Sequence, residues 1–253
     1  MQNSVIKQKI VIIGATSAMA EHCARLWVSK ANVELVLVGR DEAKLKLIAA
    51  DLKVRNAHTL VKTEQVDFLS ASAVITLASN IFTEGSVDIV LIAHGNLPDQ
   101  QLCQADLNAC SEAIHLNGLS PVLFAEAFAA HMQKVNRGTI AVIGSVAGDR
   151  GRKSNYVYGA AKGLVSRYVQ GMQHRFASSH VKIVLIKPGP TSTPMTAHLG
   201  EKGVKMASVE AVAANIVDGI EAGKSIVYTP AKWAIIMMII RHLPNFIFKK
   251  LNL

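Results

Sequence analysis

Three polar residues in the second half of the chain have the types and spacing of a proton-transfer site. Tyr158 and Lys162 are four residues apart, so a helix would place both on one face, one turn from each other. Ser145 lies thirteen residues before Tyr158, after the apolar run Thr139–Ile143 and Gly144. Because α/β folds gather strand exits and helix starts above the sheet, we expect these three side chains to meet there.

This combination suits proton exchange with a carbonyl or alcohol oxygen. A tyrosine phenol titrates at about pH 10, and a nearby ammonium favours the phenolate, so we expect Lys162 to lower the pKa of Tyr158. The Ser145 hydroxyl could hold the substrate oxygen while its charge changes. A Tyr-x-x-x-Lys pair alone also fits an ordinary helix surface, and the position of Ser145 argues against that alternative.

The stretch from Ser145 to Lys162, with SVAG followed by YGAAK, resembles the short-chain dehydrogenase/reductase family. The resemblance implies a nicotinamide cofactor, with Tyr158 as acid and base and Ser145 orienting a carbonyl. It also implies that Lys162 lowers the tyrosine pKa and binds the cofactor ribose. Asn117, in the segment IHLNGLS, matches the family's asparagine, which interrupts a helix and supports the lysine through water. The implied catalytic residues are therefore Asn117, Ser145, Tyr158 and Lys162.

The first strand–turn–helix unit fits a phosphate-binding turn. The apolar run Lys9–Ile13 is followed by GATSAMA and a helical pattern to about Lys30, and free N–H groups at a helix start attract a pyrophosphate. The family pattern here is GxxxGxG, of which the chain keeps Gly14, with Ala18 and Ala20 in the other two places. Ala18 puts a methyl where the backbone should approach the phosphate, so an ordinary β–α turn stays the alternative. The residues expected to bind cofactor here are Gly14, Thr16, Ser17, Ala18 and Met19.

The end of the second predicted strand indicates which nicotinamide cofactor binds. An acidic residue at this point would hold the ribose hydroxyls of NAD. The chain has Gly39 instead, and Arg40 offers a permanently charged, planar group suited to a 2′-phosphate. We therefore expect NADPH/NADP rather than NADH/NAD, with a solvated arginine at a strand end as the alternative.

Other positions that match the family complete the expected cofactor site. Asp67 and Phe68 follow the third strand, where the family has an aspartate near the adenine. Ala93, His94 and Gly95 stand where the family usually shows NNAG; we expect Gly95 to permit close backbone approach and His94 not to act as a base. After the sixth strand, a Pro-Gly pair followed by threonines would hold the nicotinamide end. These last residues are Pro188, Gly189, Thr191 and Thr193.

Apolar runs alternate with helical patterns along the chain, which predicts one Rossmann-type, doubly wound α/β fold. We expect about seven parallel strands with helices on both faces. The predicted strands are Lys9–Ile13, Leu35–Val38, a part of His58–Val66, Val87–Ala93, Thr139–Ile143, Val181–Lys187 and Ser225–Tyr228. The predicted helices run from about Ala20 to Lys30, Asp41 to Lys53, Ser70 to Phe82, Asp106 to Gln133, Asn155 to Ser178 and Ser208 to Glu221.

Residues 195–206 fit a mobile lid over substrate. The domain would span residues 1–230, followed by an arm, residues 231–253.

Composition argues against several classes of protein. The chain has 253 residues and is 50% hydrophobic and 18% charged, so disorder is not expected. The net charge is +9, but aromatic residues make up only 5% and no basic stripe is interleaved with them, which argues against nucleic acid binding. The three cysteines form no metal-ligand pattern and indicate a reducing, cytoplasmic location. The polar stretch Met1–Lys9 does not resemble a signal peptide. No metal is expected.

The C-terminal arm departs from the pattern of the domain. From residue 232 it reads KWAIIMMIIRHLPNFIFKKLNL, and its longest uncharged run, Trp233–Ile240, is far below the ~20 residues that span a bilayer. Basic residues without acidic ones, beside Trp and Phe, fit a segment lying in an anionic membrane interface. Packing on the core, or in the interface of a homodimer or tetramer, is the alternative.

The arm, together with GATSAMAE, VGR and AHGNLPDQ, also resembles a narrower group of reductases. This group includes the reductase partner of the decaprenylphosphoryl-ribose 2-epimerase and related reductases of bacterial polysaccharide synthesis. The narrower resemblance implies a keto-sugar substrate, including one carried on a polyprenyl phosphate at the inner face of the plasma membrane.

The sequence therefore predicts an NADPH-dependent ketoreductase acting on a small-molecule or lipid-linked carbonyl compound. Two alternatives from other classes stay open. The incomplete glycine motif would fit a catalytically weak, cofactor-binding regulatory or scaffold protein. The arm would fit a membrane-peripheral interaction protein.

Overall fold

The computed structural model describes residues 8–197, 200 and 203–251, and the predicted doubly wound α/β fold is confirmed. Seven parallel strands form one sheet in the order β3-β2-β1-β4-β5-β6-β7. The strands are β1 Gln8–Ile13, β2 Val33–Gly39, β3 Leu60–Gln65, β4 Ile89–Ile92, β5 Gly138–Ile143, β6 Val181–Pro188 and β7 Ile226–Thr229. The central strands are apolar without alternation because helices cover both of their faces.

The helices follow the strands in alternation, and several begin at side-chain caps. The α-helices are α1 Ala18–Lys30, α2 Glu42–Arg55, α3 Ala71–Thr83, α4 Gln100–Ala105, α5 Leu107–Ile114, α6 Ser120–Val135, α7 Tyr156–Arg175, α8 Val209–Glu221, α9 Lys232–His242 and α10 Asn245–Phe248. Asp41, Ser70 and Ser208 accept hydrogen bonds from backbone N–H groups in the first turns of α2, α3 and α8, as their positions before those helices predict.

Two apolar layers hold the helices to the sheet. On one face, α3, α6 and α7 contribute Val74, Phe124 and Val165 to a continuous buried cluster. On the other face, α1, α2 and α8 contribute to a second cluster through residues such as Leu45 and Ile216. The strand order reverses between β1 and β4, so the connections leaving these two strands diverge and open a crevice at their carboxyl ends.

The predicted helical stretch from Asp106 to about Gln133 is present, and it is interrupted at Asn117, as the family resemblance implies. The chain forms α5, then a π-helical turn at His115–Leu119, then α6. By length and composition the stretch Leu107–Val135 could cross a membrane, but most of its most apolar window is buried inside the fold, as in a core helix. The helix α4, which begins after the cap Asp99, was not predicted.

The C-terminal arm packs one side against the domain. Met237 in α9 is completely buried, and the ring of Trp233 lies against Gly189 at the end of β6. The guanidinium of Arg150 donates to the carbonyl oxygens of Ile240 and Leu243 at 2.5 and 2.6 Å. Of the predicted lid, residues 198, 199, 201 and 202 lie outside the described residues, and residues 194–196 form a 3₁₀ turn.

Candidate active site

A cavity of about 580 Å³ lies at the carboxyl ends of the strands, at the crevice between β1 and β4. It is lined by eighteen of the nineteen residues that the sequence analysis singles out. These are Gly14, Thr16, Ser17, Ala18, Met19, Arg40, Phe68, Ala93, His94, Gly95, Asn117, Ser145, Tyr158, Lys162, Pro188, Gly189, Thr191 and Thr193. Residues that are far apart in the chain thus meet in one place because each follows a strand or opens a helix.

Asp67 is the exception: it does not line the cavity, and its expected place near the adenine stays a prediction. Its carboxylate accepts a hydrogen bond from the N–H of Leu69 at 2.9 Å, and the side chain is exposed. Asp67 therefore shapes the turn into α3, whereas its neighbour Phe68 lines the cavity.

The turn after β1 brings the start of α1 to the cavity. Gly14 has a φ of 80°, and a Cβ atom there would lie 2.6 Å from the backbone nitrogen of His94. The positive φ and the close approach of β4 both require glycine at this position. Ala18 and Met19, the first residues of α1, line the cavity. Backbone N–H groups in the first turn of a helix have no partner within the helix, so this part of the cavity suits an anion.

Two basic side chains flank the β2 side of the cavity. Arg40 follows β2, and its guanidinium lies 5.8 Å from the centre of the Phe68 ring. Lys44, in the first turn of α2, also lines the cavity. Sequence reasoning missed Lys44, although its place one helical turn after Arg40 could have indicated it. A Cβ atom on Gly39 would lie 3.1 Å from Leu45, so this position is closely packed.

On the β5 side, Lys162 is buried in α7 and points at the end of the strand. Its Nζ donates to the carbonyl oxygen of Ile143 at 3.0 Å and lies 5.9 Å from the centre of the Tyr158 ring. Burial lowers the pKa of Lys162 to about 8. Burial therefore weakens the preference of the Lys162 amine for its charged form.

Tyr158 and Ser145 sit beside Lys162. Burial raises the pKa of Tyr158, and its interaction with the Ser145 hydroxyl opposes that rise. Burial of the phenolate is the dominant cause for the protein by itself, and the expected lowering of the tyrosine pKa by Lys162 stays a prediction. The Ser145 oxygen also accepts from the N–H of Ala147 at 3.1 Å, which fixes it at the start of a 3₁₀ turn, Val146–Asp149.

Asn117 is fully buried in the π-helical turn and connects three segments. Its Nδ2 donates to the carbonyl oxygen of Ala113 at 2.9 Å and to the side chain of Asn96 at 2.7 Å, and its Oδ1 accepts from the N–H of Asn96 at 2.9 Å. A Cβ atom on Gly95 would lie 2.7 Å from that same Oδ1. The turn after β4 and the π-helical turn therefore lock together at one amide group.

His94 is buried between aromatic rings and is a structural residue of the cavity wall. Its Nε2 lies 2.8 Å from the Ser120 hydroxyl, and the rings of Phe68 and Phe124 are centred 4.5 and 5.4 Å away. Burial first, and then the charges of Lys162 and Arg40, lower its pKa to about 3. An imidazole with so low a pKa is a poor proton acceptor, which is compatible with the expectation that His94 does not act as a base.

The loop after β6 closes the cavity on its third side. Thr191 Oγ1 donates to the carbonyl oxygen of Gly189 at 3.0 Å, and the hydroxyls of Thr193 and Thr196 are 3.0 Å apart. Met195 and Thr196, which belong to the predicted lid, also line the cavity. Among the residues that the structure describes, no three His, Cys, Asp or Glu side chains gather as a metal site.

Comparison with solved structures supports this fold. A short-chain dehydrogenase from Sphingobium yanoikuyae, solved in complex with NADPH, superimposes with a TM-score of 0.81 at 20% identity, covering 94% of this chain and 97% of that one. The bulky-bulky ketone specific alcohol dehydrogenase from Comamonas testosteroni gives a TM-score of 0.79 at 18% identity, covering 95% and 96%. At these identities the likeness concerns the fold alone.

Comparison of sequences identifies the family. An uncharacterised oxidoreductase of Mycobacterium tuberculosis is 29% identical over 245 residues, 96% of each chain. The family model described as short chain dehydrogenase matches residues 8–203, which include every cavity-lining residue named above. The chain belongs to the short-chain dehydrogenase family of oxidoreductases.

Proposed function

We propose that the protein is an NADPH-dependent ketoreductase that reduces a carbonyl compound to an alcohol. The observation that carries this proposal is the composition of the single cavity described above. It combines Ser145, Tyr158 and Lys162 on the β5 side with Arg40 and Lys44 on the β2 side. One side could exchange a proton with a carbonyl oxygen, and the other could bind a phosphate.

The residues present fit a phosphorylated dinucleotide. The start of α1 offers backbone N–H groups to a pyrophosphate, and Arg40 and Lys44 offer charge to a 2′-phosphate where Gly39 brings no carboxylate. The neighbour from Sphingobium yanoikuyae was solved with NADPH, which supports the same choice. When bound, NADPH would supply the hydride for the carbonyl carbon.

The side chains would supply the proton and position the oxygen. Ser145 would donate a hydrogen bond to the carbonyl oxygen, and Tyr158 would transfer its phenolic proton to the same oxygen as that oxygen gains charge. Lys162 would bind the ribose and stabilise the resulting phenolate. Since burial raises the pKa of Tyr158, the phenol holds its proton at neutral pH and can act as the acid in the reduction.

We further propose a keto-sugar, free or linked to a lipid and used in cell-envelope polysaccharide synthesis, as the first substrate class to test. Support comes from the resemblance of GATSAMAE, AHGNLPDQ and the C-terminal arm to reductases of that kind. A basic, apolar arm beside the cavity is compatible with a substrate presented at a lipid surface.

The test of the proposal is the variant Tyr158→Phe, measured with NADPH and a panel of keto-sugars and simple ketones. The variant removes one hydroxyl, so it should still bind NADPH and should lose at least ~100-fold in kcat, the usual contribution of a positioned acid. Activity near that of the wild type would contradict the mechanism. Cofactor binding without turnover of any carbonyl compound by the wild-type protein would instead favour a regulatory protein.

A further inference from the structure

The outer side of the C-terminal arm carries apolar side chains that the fold does not cover. In α9, Ile235, Met238 and Ile239 are 62%, 56% and 56% exposed, and their spacing places them along one stripe of the helix. Phe246 in α10, the helix that follows α9, is 69% exposed. We call these four side chains the arm stripe.

The arm stripe belongs to a fixed element, so its exposure is a property of the folded chain. The opposite side of α9 holds the buried Met237, and Trp233 lies against Gly189 in the cavity wall. Arg150 binds the carbonyl oxygens at the end of α9, donates to the Asn245 side chain at 3.0 Å, and lies 3.8 Å from the centre of the Phe248 ring. The inner side is therefore anchored at several points, and the outer side is presented to the surroundings.

The charges around the arm stripe have one sign. After Glu221 the sequence contains Lys224, Lys232, Arg241, Lys249 and Lys250 and no Asp or Glu. The carboxylate of Asp149, which accepts from Tyr228 beneath the arm at 2.9 Å, is 4% exposed and paired with the buried Lys187. An apolar stripe bordered by lysines and an arginine complements a surface that is both apolar and anionic.

We propose that the arm stripe docks the protein on an anionic lipid surface, with α9 lying in the plane of the interface. The eleven residues of α9 are too few to span a bilayer, which takes ~20, so the arm would lie on the membrane and not cross it. Because Trp233 contacts the wall of the cavity, docking would hold the cavity close to the lipid surface. This inference does not depend on the identity of the substrate.

Co-sedimentation with vesicles tests the proposal on the full chain. The protein should sediment with vesicles containing phosphatidylglycerol and much less with vesicles of phosphatidylcholine alone, and raised salt should weaken the binding. The triple variant Ile235→Ser/Met238→Ser/Ile239→Ser should lose at least about tenfold in affinity for the anionic vesicles. Lys249→Ser/Lys250→Ser should lose roughly thirtyfold, from ~1 kcal/mol per basic residue near the surface.

A matched control uses exposed apolar residues elsewhere. Leu47 and Val54 on α2 are 71% and 87% exposed, so Leu47→Ser/Val54→Ser removes comparable surface and should sediment like the wild type. Reduction of a water-soluble carbonyl compound and the thermal midpoint should be unchanged in all three variants, which separates a docking defect from a failure of the reductase proposal.

Two results would overturn the proposal. The first is that the wild-type protein stays in the supernatant with both kinds of vesicle. The second is that the serine variants of the arm bind anionic vesicles as the wild type does. If, in addition, sedimentation velocity showed that the arm variants convert an oligomer to a monomer, a second copy of the chain would be the occupant of the arm stripe.

Discussion

The proposed preference for NADPH over NADH rests on Arg40. We expect Arg40→Ala to raise KM for NADPH by ~10- to 100-fold, because a charge-assisted hydrogen bond of about 1.5–3 kcal/mol to the 2′-phosphate is lost. KM for NADH, which lacks that phosphate, should change little. Lys44→Ala should act in the same direction. Steady-state kinetics with both cofactors measures the effect.

Lys46 provides the control for that experiment. It lies on the same helix as Lys44, does not line the cavity, and pairs with Glu42 at 2.7 Å on the surface. Lys46→Ala should leave both KM values unchanged. Equal loss of affinity for NADPH and NADH in Arg40→Ala would contradict the assignment of Arg40 to the 2′-phosphate.

His94 gives the folded protein a specific sensitivity to acid. Its pKa is about 3 in the folded chain, whereas an unburied histidine titrates at about 6.5. The unfolded chain therefore binds more protons between these two values, and the free energy of unfolding falls as pH falls from 6.5 towards 3, by at most ~1.4 kcal/mol per unit. In His94→Gln this part of the pH dependence should disappear. Urea denaturation of both proteins at pH 7, 6, 5 and 4 gives the free energy of unfolding as a function of pH. The same slope in the wild type and in the variant would show that His94 is not held neutral.

At the residue scale, the spacing in the sequence predicted which side chains lie at the cavity but did not predict their pKa values. Ser145, Tyr158 and Lys162 lie where the strand and helix pattern predicts. The pKa of Tyr158 is raised by burial, which depends on every element around the ring and is not revealed by any single spacing. Lys44 was missed for a related reason, since the fold decides which side chains near a turn face the cavity. Asp67 does not line the cavity, and its place near the cofactor stays a prediction.

At the scale of elements, the contact between the turn after β4 and the π-helical turn depends on Gly95. Its φ of 151° is unfavourable for other residues, and a Cβ atom would lie 2.7 Å from Asn117 Oδ1. Gly95→Ala should therefore lower the free energy of unfolding by about 1–3 kcal/mol and displace Asn117. Denaturant titration and kcat together measure both effects.

Gly171 is the matched control for that substitution. It lies in the interior of α7, and a Cβ atom there would have no neighbour within 4 Å. Gly171→Ala should raise the free energy of unfolding by about 0.5–1 kcal/mol, because alanine is the better helix former. If Gly95→Ala behaved like Gly171→Ala, the close contact with Asn117 would not constrain the turn.

Most strands could be predicted from continuous apolar runs because both of their faces are buried. The interruption at Asn117 is implied by the family resemblance and not by the apolar pattern. The π-helical turn changes only the partners of a few backbone hydrogen bonds, while the apolar pattern of α5 and α6 continues across it. Asn117 replaces one backbone bond with its own side chain, which a periodicity argument does not detect.

At the scale of the whole molecule, the two sides of the C-terminal arm differ. Its inner side packs on the core through Met237 and Trp233, and its outer side is apolar and exposed. Composition does not distinguish the two sides of a helix. The difference between the buried and the exposed side of the arm could be seen only once it was known which face of α9 packs on the domain. Arg150 follows the turn that begins after Ser145 and binds the arm, so the arm is attached directly after that turn.

Arg150 is the link between the arm and the turn that carries Ser145. It follows the 3₁₀ turn Val146–Asp149 and holds the end of α9 and the start of α10 with one guanidinium. Arg150→Ala should lower the free energy of unfolding by about 1–3 kcal/mol and expose the arm to trypsin, because charged hydrogen bonds to the Ile240 and Leu243 carbonyls are lost. Arg55→Ala, which removes a surface pair with Asp51 on α2, should cost no more than about 1 kcal/mol. If the arm of Arg150→Ala is cleaved no faster than that of Arg55→Ala, its attachment rests on Met237 and Trp233, and the Ser145 turn is independent of it.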